Sequence, residues 1–223
     1  MVRHYVRSIL IVAGGFVLSL PASAQIVQNA RVLEFQDTQD TIIPNPRAIP
    51  GARAQLVRRA NGVAVRVNTR RLPPGAYTLW WEIYNAPENC VGDCDFFEDA
   101  FNPATRFSVF WAAGGIVGPD GRLQVEAEAL VGDPPGEPCP EIPFAAPKML
   151  VGCGLLDAKG AQINVIIKTH GAPSENAAVL YRQMGTIGGA CTNPPGPIEH
   201  PVDPDPTERV FPCYDPQVAV FLP

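Results

Sequence analysis

The sequence predicts an all-β protein, a single antiparallel β-sandwich with long proline-rich loops tethered by disulfides. Three observations carry that prediction. Apolar residues recur with period two, the spacing of a strand with one buried face, in segment after segment. No stretch of convincing length holds a helical period. Among 223 residues, 25 prolines and 20 glycines punctuate the strands, and six cysteines stand ready to staple what lies between them.

The chain opens with "MVRHYVRSILIVAGGFVLSLPASAQ". Arg3 and Arg7 supply a positive start, residues 9–20 an apolar run, and Ala22-Ser23-Ala24 a small-residue cleavage site. These are the parts of a secretory signal peptide. A membrane anchor needs roughly 20 apolar residues, and this run is shorter and stops at Pro21. The expected mature chain starts at Gln25, with residues 1–24 removed. No cysteine follows the run to carry a bacterial lipid anchor, and no second run is long enough to span a bilayer after cleavage. The expected location is periplasmic or secreted. Loss of two arginines leaves 15 basic against 22 acidic residues, moving the formal charge from −5 to −7. So acidic a chain is a poor partner for nucleic acid or anionic lipid. Residues 25–223 are enough for one domain with a real core. Its core is expected at about 53–191, followed by a proline-rich loop and a final strand over 192–223.

Strand by strand, "ARAQLVRR" is a plausible first. "GVAVRVNTR" sends Val63, Val65 and Val67 to one side, and Ala64, Arg66 and Asn68 to the other. "AYTLWWEIY" places Tyr77, Leu79, Trp81 and Ile83 on one face, and Thr78, Trp80, Glu82 and Tyr84 on the other. "RFSVFWAA" follows, and "VGPDGRL" reads as a hairpin turn with Gly121 at positive φ. "GRLQVEAEAL" alternates Leu123, Val125, Ala127 and Ala129 with charged or polar residues. "QINVIIKTH" repeats the pattern around Ile163, Val165 and Ile167, and "PQVAVFLP" around Val218, Val220 and Leu222. Neighbours on a strand face opposite ways, so Trp80 and Trp81 require different environments. Trp81 belongs to the core set. Trp80 and Tyr84 need either a cover, supplied by the 87–106 loop with Phe96, Phe97 and Phe101, or a role as an exposed aromatic platform. Large exposed apolar patches are uncommon, which favours the cover.

Residues 131–152 and 190–216 are too rich in proline for interior strands, and read as surface loops with a cysteine at or near both ends. An even number of cysteines in an exported chain argues for disulfides. Six allow 15 pairings. The nearest-neighbour set, Cys90–Cys94, Cys139–Cys153 and Cys191–Cys213, closes each loop on itself. The rival for "CVGDC" is a thiolate metal clip, which lacks a matching pair nearby.

"LPPGAYTLWWEIYNAPENC", "AAGGIVGPDGR", "GLLDAKGAQINVIIKTHGAP" and a late "GGAC" together resemble a group of uncharacterised secreted bacterial proteins. Members similarly carry a Pro-Gly turn before a Tyr-Thr-Leu-Trp-Trp strand, an Asn-Pro-Glu-x-Cys turn and a strand ending in His-Gly. The resemblance runs from about residue 62 to 191. It implies an exported β domain and brings no activity. A fainter resemblance is to chordin-type β domains, in which a strand also ends in a His-Gly-Pro turn after an earlier histidine. Here that earlier position is Lys168, so no ligand set carries over.

Chemistry-bearing residues are few. Only His170 and His200 remain after cleavage, short of the three or four nitrogen or sulfur ligands a zinc or copper centre needs. His170 in "KTHGAP" reads as a strand-end residue bonded to a loop carbonyl, with a pH-sensitive or polar contact as the alternative. Ser108 and Ser174 lie in no Gly-x-Ser-x-Gly elbow. Asp93, Asp95, Glu98 and Asp99 in "ENCVGDCDFFEDAFN" are candidate Ca²⁺ ligands, set against a plain solvated acidic loop. The expected function is that of an exported, non-catalytic structural or interaction module with an unknown protein or glycan partner in the envelope, and no cofactor beyond possible Ca²⁺. The alternative is carbohydrate or small-ligand binding on a face made by Trp80, Glu82 and Tyr84, with His170 nearby.

Overall fold

Alternating burial along the strands builds two antiparallel sheets in the computed structural model. It describes residues 25–38, 41–100, 102–132, 149–152, 154–186, 189, 191 and 213–223. In chain order the elements are β1 (Ile26–Ala30), β2 (Leu33–Glu34), β3 (Gln36–Thr38), β4 (Thr41–Ile42), β5 (Arg53–Arg59), β6 (Gly62–Thr69) and β7 (Gly75–Tyr84). A short helix α1 (Phe96–Asp99) precedes β8 (Phe107–Val117), β9 (Leu123–Leu130), β10 (Met149–Gly152) and β11 (Gln162–Thr169). Helix α2 (Ala177–Gly185) and β12 (Tyr214–Phe221) complete them. One sheet has the order β1-β5-β6-β9, and the other β10-β8-β7-β11-β12-β2; β3 and β4 form a separate ribbon. The sheets pack face to face as an all-β sandwich. The predicted leader, residues 1–24, lies outside the described residues, as do Cys139, Cys153, Phe101, His200 and the side chain of Phe97.

The core between the sheets is the one the alternation predicts. Val63, Val65 and Val67 of β6 meet Tyr77, Leu79, Trp81 and Ile83 of β7, and Ile163, Val165 and Ile167 of β11. Leu123 and Ala129 of β9 join them, with Val125 and Ala127 at the margin. Arg58 continues the inward row of Ala54 and Leu56, and is fully buried. Its guanidinium donates to the carbonyls of Ala158, Ala161, Phe221 and Leu222, and its Nε donates to Gln28 Oε1. Buried charge is tolerated here because the donors find acceptors.

Several expectations need correction. The 118–121 turn forms, with Gly121 at φ +66° and its amide on the Gly118 carbonyl at 3.0 Å. It does not close a hairpin, because β8 and β9 lie in different sheets and the turn carries the chain across the sandwich. In β12 the inward residues are Ala219 and Phe221, while Val218 and Val220 face out. Pairing of Ile163 with Phe221 and Val165 with Ala219 sets that register. Because "VAVF" is apolar at both parities, its own pattern held no preference. A helix was missed at α2, where the Asn176 side chain accepts from the amides of Ala178 and Val179. The end of one proline-rich segment pairs as edge strand β10. Strand β12 lies inside its sheet between β11 and β2, and β1 flanks β5, so the sandwich extends on both sides of 53–191.

Candidate functional site: the outer face of the six-stranded sheet

The side of this sheet away from the sandwich core carries Thr78, Trp80, Glu82 and Tyr84 from β7. Opposite them on β11 stand Lys168, Ile166, Asn164 and Gln162. An irregularity in β8 between the partners of Leu79 and Trp80 sets Trp111 directly across from Trp80. All eight of these β7 and β11 side chains are buried. Trp80 is 4% exposed and Tyr84 fully buried. They form a second apolar cluster with Phe107, Val109, Ile166, Val218 and Cys94. Cys90, Phe96 and Ala100 of the disulfide loop, and Leu33 and Phe35 from the N-terminal side, pack against it. The parity expectation holds: Trp81 is inside, and Trp80 lies in the cluster that the Cys90–Cys94 loop covers. An open stacking platform is absent from this arrangement.

At one end of the face a polar group is sealed in. The Tyr84 hydroxyl donates to Glu82 Oε1 at 2.5 Å. Gln162 Nε2 donates to Asn164 Oδ1 and to the Cys94 carbonyl, and Gln162 Oε1 accepts the Cys94 amide. Burial pushes the Glu82 carboxyl up to about 7, and the nearby Asp215 and Asp95 charges add to that. The Tyr84 and Asn164 hydrogen bonds act in the opposite direction. Burial and the Glu82 charge also raise Tyr84.

At the other end, Lys168 Nζ lies 2.9 Å from Asp215 Oδ1 and 4.7 Å from the centre of the Trp80 ring. Trp80 Nε1 donates to Thr78 Oγ1 at 2.8 Å, and that oxygen is 2.7 Å from His170 Nε2. His170 Nδ1 lies 2.8 Å from the Gly189 carbonyl, which can only accept. The proton is therefore on Nδ1, and Nε2 accepts from the threonine hydroxyl. The Cys191–Cys213 sulfurs are 3.4 and 3.6 Å from Nδ1. Burial, then the Lys168 charge, pull His170 down to about 3, against the opposing Gly189 bond. His170 is thus the strand-end residue bonded to a loop carbonyl that the sequence predicts. Both its nitrogens are engaged, while Ser174 Oγ accepts from the Asn176 amide.

The acidic loop is held by one of its own carboxylates. Asp99 is fully buried and accepts the amides of Val91 and Asp95, both at 3.0 Å. Asp95 Oδ1 accepts the Glu98 amide, and Asp93 and Glu98 are exposed. The four candidate Ca²⁺ ligands do not converge. Among the described residues, the groups with ligand atoms all within 4.8 Å are His170/Cys191/Cys213 and Cys90/Cys94/Asp99. In both, the cysteines are joined as disulfides, Cys90–Cys94 and Cys191–Cys213. That removes the thiolate clip. The proposed Cys139–Cys153 bridge lies outside the described residues.

Sequence reasoning missed Gln162, Asn164, Lys168 and Asp215 as part of this face. The first three sit at alternate positions of "QINVIIKTH", so the signal was present but read as a solvent face. Together these features define a disulfide-stapled β-sandwich in which the central strands β7 and β11 of one sheet are buried on both faces. No family model, curated protein or solved structure matches the chain.

Proposed function

We propose that this chain is an exported β module that works by interaction and not by catalysis. The observation that supports this reading is the internal partnering of its reactive groups. Glu82 is bound to Tyr84, Lys168 to Asp215, and His170 to Thr78 and Gly189. A general acid or base must reach its substrate, and Glu82, Lys168 and His170 are all buried. The stapled loops suit an oxidising compartment, and no helix among the described residues is long and apolar enough to cross a membrane. Both are compatible with a periplasmic or secreted protein.

Native mass spectrometry of protein purified from its own envelope fraction tests this reading. The expected species begins at Gln25, has no alkylatable thiol, and carries a bound protein or glycan. Retention of residues 1–24 would refute export. A bare monomer in every preparation would refute the interaction role.

A further inference from the structure

The outward face of the four-stranded sheet holds a concavity. Arg53, Asn68 and Gln124 lie side by side across β5, β6 and β9. With Arg70, just past β6, and Arg122, just before β9, they line a cavity of about 360 Å³, within the range of small-ligand sites. Among the described residues, no carboxylate contributes to its wall. Elsewhere on this sheet the exposed arginines are paired, Arg59 with Glu128 at 2.7 Å and Arg66 with Glu126 at 2.6 Å. Arg53, Arg70 and Arg122 form no ion pair with any described residue. The amide side chains of Asn68 and Gln124 make no hydrogen bond to any described residue.

The backbone at two of the arginines is held in place. Gly51 has φ +73°, and a Cβ there would lie 2.8 Å from Arg70 Nη2. The guanidinium thus rests on bare backbone, in a conformation that suits glycine. The buried Gln217 donates to the Arg70 carbonyl at 2.9 Å and accepts the Thr69 hydroxyl at 2.6 Å, pinning the end of β6 to β12. Arg122 follows the 118–121 turn, where the Gly121 carbonyl accepts the Leu72 amide.

We propose that this cavity binds a small hydroxylated anion, a sugar bearing a carboxylate or a phosphate. Guanidinium groups bind such a head through charge-assisted hydrogen bonds. The Asn68 and Gln124 amides each offer a donor and an acceptor to hydroxyls. Three cations around one concavity, with no ion pair to any described residue, attract a single anionic group. The acidic chain as a whole, formally −5, repels a polyanion such as nucleic acid. This site is separate from the sheet face described above and does not depend on the interaction reading.

The test is NMR titration of the mature full chain with glucuronate, a glucose monophosphate, glucose and inorganic phosphate. The expected result is saturable shifts at the Asn68 and Gln124 side-chain amides and at arginine Nε, with a Kd on the order of 1 mM or tighter. Glucose should be inert. Whichever acidic sugar binds more tightly identifies the head group, and either supports the site. Arg70→Gln with Arg122→Gln should weaken binding by about tenfold or more, as should Arg53→Gln alone in a fold whose melting is unchanged. Arg59→Gln, on the same face but paired, should leave binding intact. Inorganic phosphate binding as tightly as the sugars would overturn the sugar assignment. No saturable shift from any acidic probe, or full binding by the arginine variants, would overturn the site itself.

Discussion

Glu82 and His170 share one buried sheet face, yet burial moves their proton affinities in opposite directions. Glu82 rises from 4.5 to about 7. Between those values the folded chain keeps a proton that the unfolded chain releases, so its contribution to stability falls as pH rises. His170 falls from 6.5 to about 3. Between those values the unfolded chain gains a proton that the folded chain refuses, so its contribution falls as pH drops. Glu82→Gln keeps a neutral side chain of similar shape and should remove the first effect. Relative to the parent, the variant should gain on the order of 3 kcal/mol between pH 4.5 and 7. Urea unfolding across that range checks this, and parallel curves would mean that Glu82 ionises freely in the folded chain. Arg58 offers a second test at this scale. Its fork spans four carbonyls and Gln28, and a lysine's three donors on one atom cannot reproduce that spread. Arg58→Lys should leave buried carbonyls unpaired, each costing about 1–3 kcal/mol, and a denaturation midpoint close to the parent's would contradict it.

The Cys90–Cys94 loop with α1 packs as a lid on the apolar cluster that contains Trp80 and Tyr84, and Asp99 organises it from within. Asp99→Ala removes the acceptor of the Val91 and Asp95 amides. Amide exchange at both positions should quicken, and the Cys90–Cys94 bridge should reduce faster, while the sandwich core stays protected. Unchanged exchange would show that the disulfide alone shapes the loop. Trp80 and Trp81 extend the argument across β7. Replacing a buried tryptophan by alanine costs about 3–5 kcal/mol, and both are buried. Trp81→Ala should abolish folding, because it empties the main core. Trp80→Ala should lower the melting temperature and also loosen the lid, a combination that a calorimetric scan with timed reduction would resolve. A lid unaffected by Trp80→Ala would remove Trp80 from its supports.

Across the whole molecule, the Cys191–Cys213 bridge spans 22 residues and brings sulfur against the buried ring of His170. Replacing both cysteines by alanine should cost about 3 kcal/mol, read as a lower urea midpoint. An unchanged midpoint would show that β12 holds its place without the bridge. Much of this architecture is legible in one dimension. The alternation of Val63, Val65 and Val67, and of Tyr77, Leu79, Trp81 and Ile83, determines which faces meet, because a strand has only two sides. The two bridges seen are nearest-neighbour pairs, which short loops close cheaply, but fifteen pairings were open to the sequence. What tertiary structure decided is how each second face is used. Glu82, Gln162, Asn164 and Lys168 alternate with core residues just as Gln124, Glu126 and Glu128 do. The first group is buried and the second faces water, because a lid exists over one sheet and not the other. Strand β12 makes the same point, its apolar residues at both parities being sorted by pairing with β11. A two-residue period records that a side chain faces away from the core. Whether another segment returns to cover it depends on distant contacts, and no local pattern encodes those.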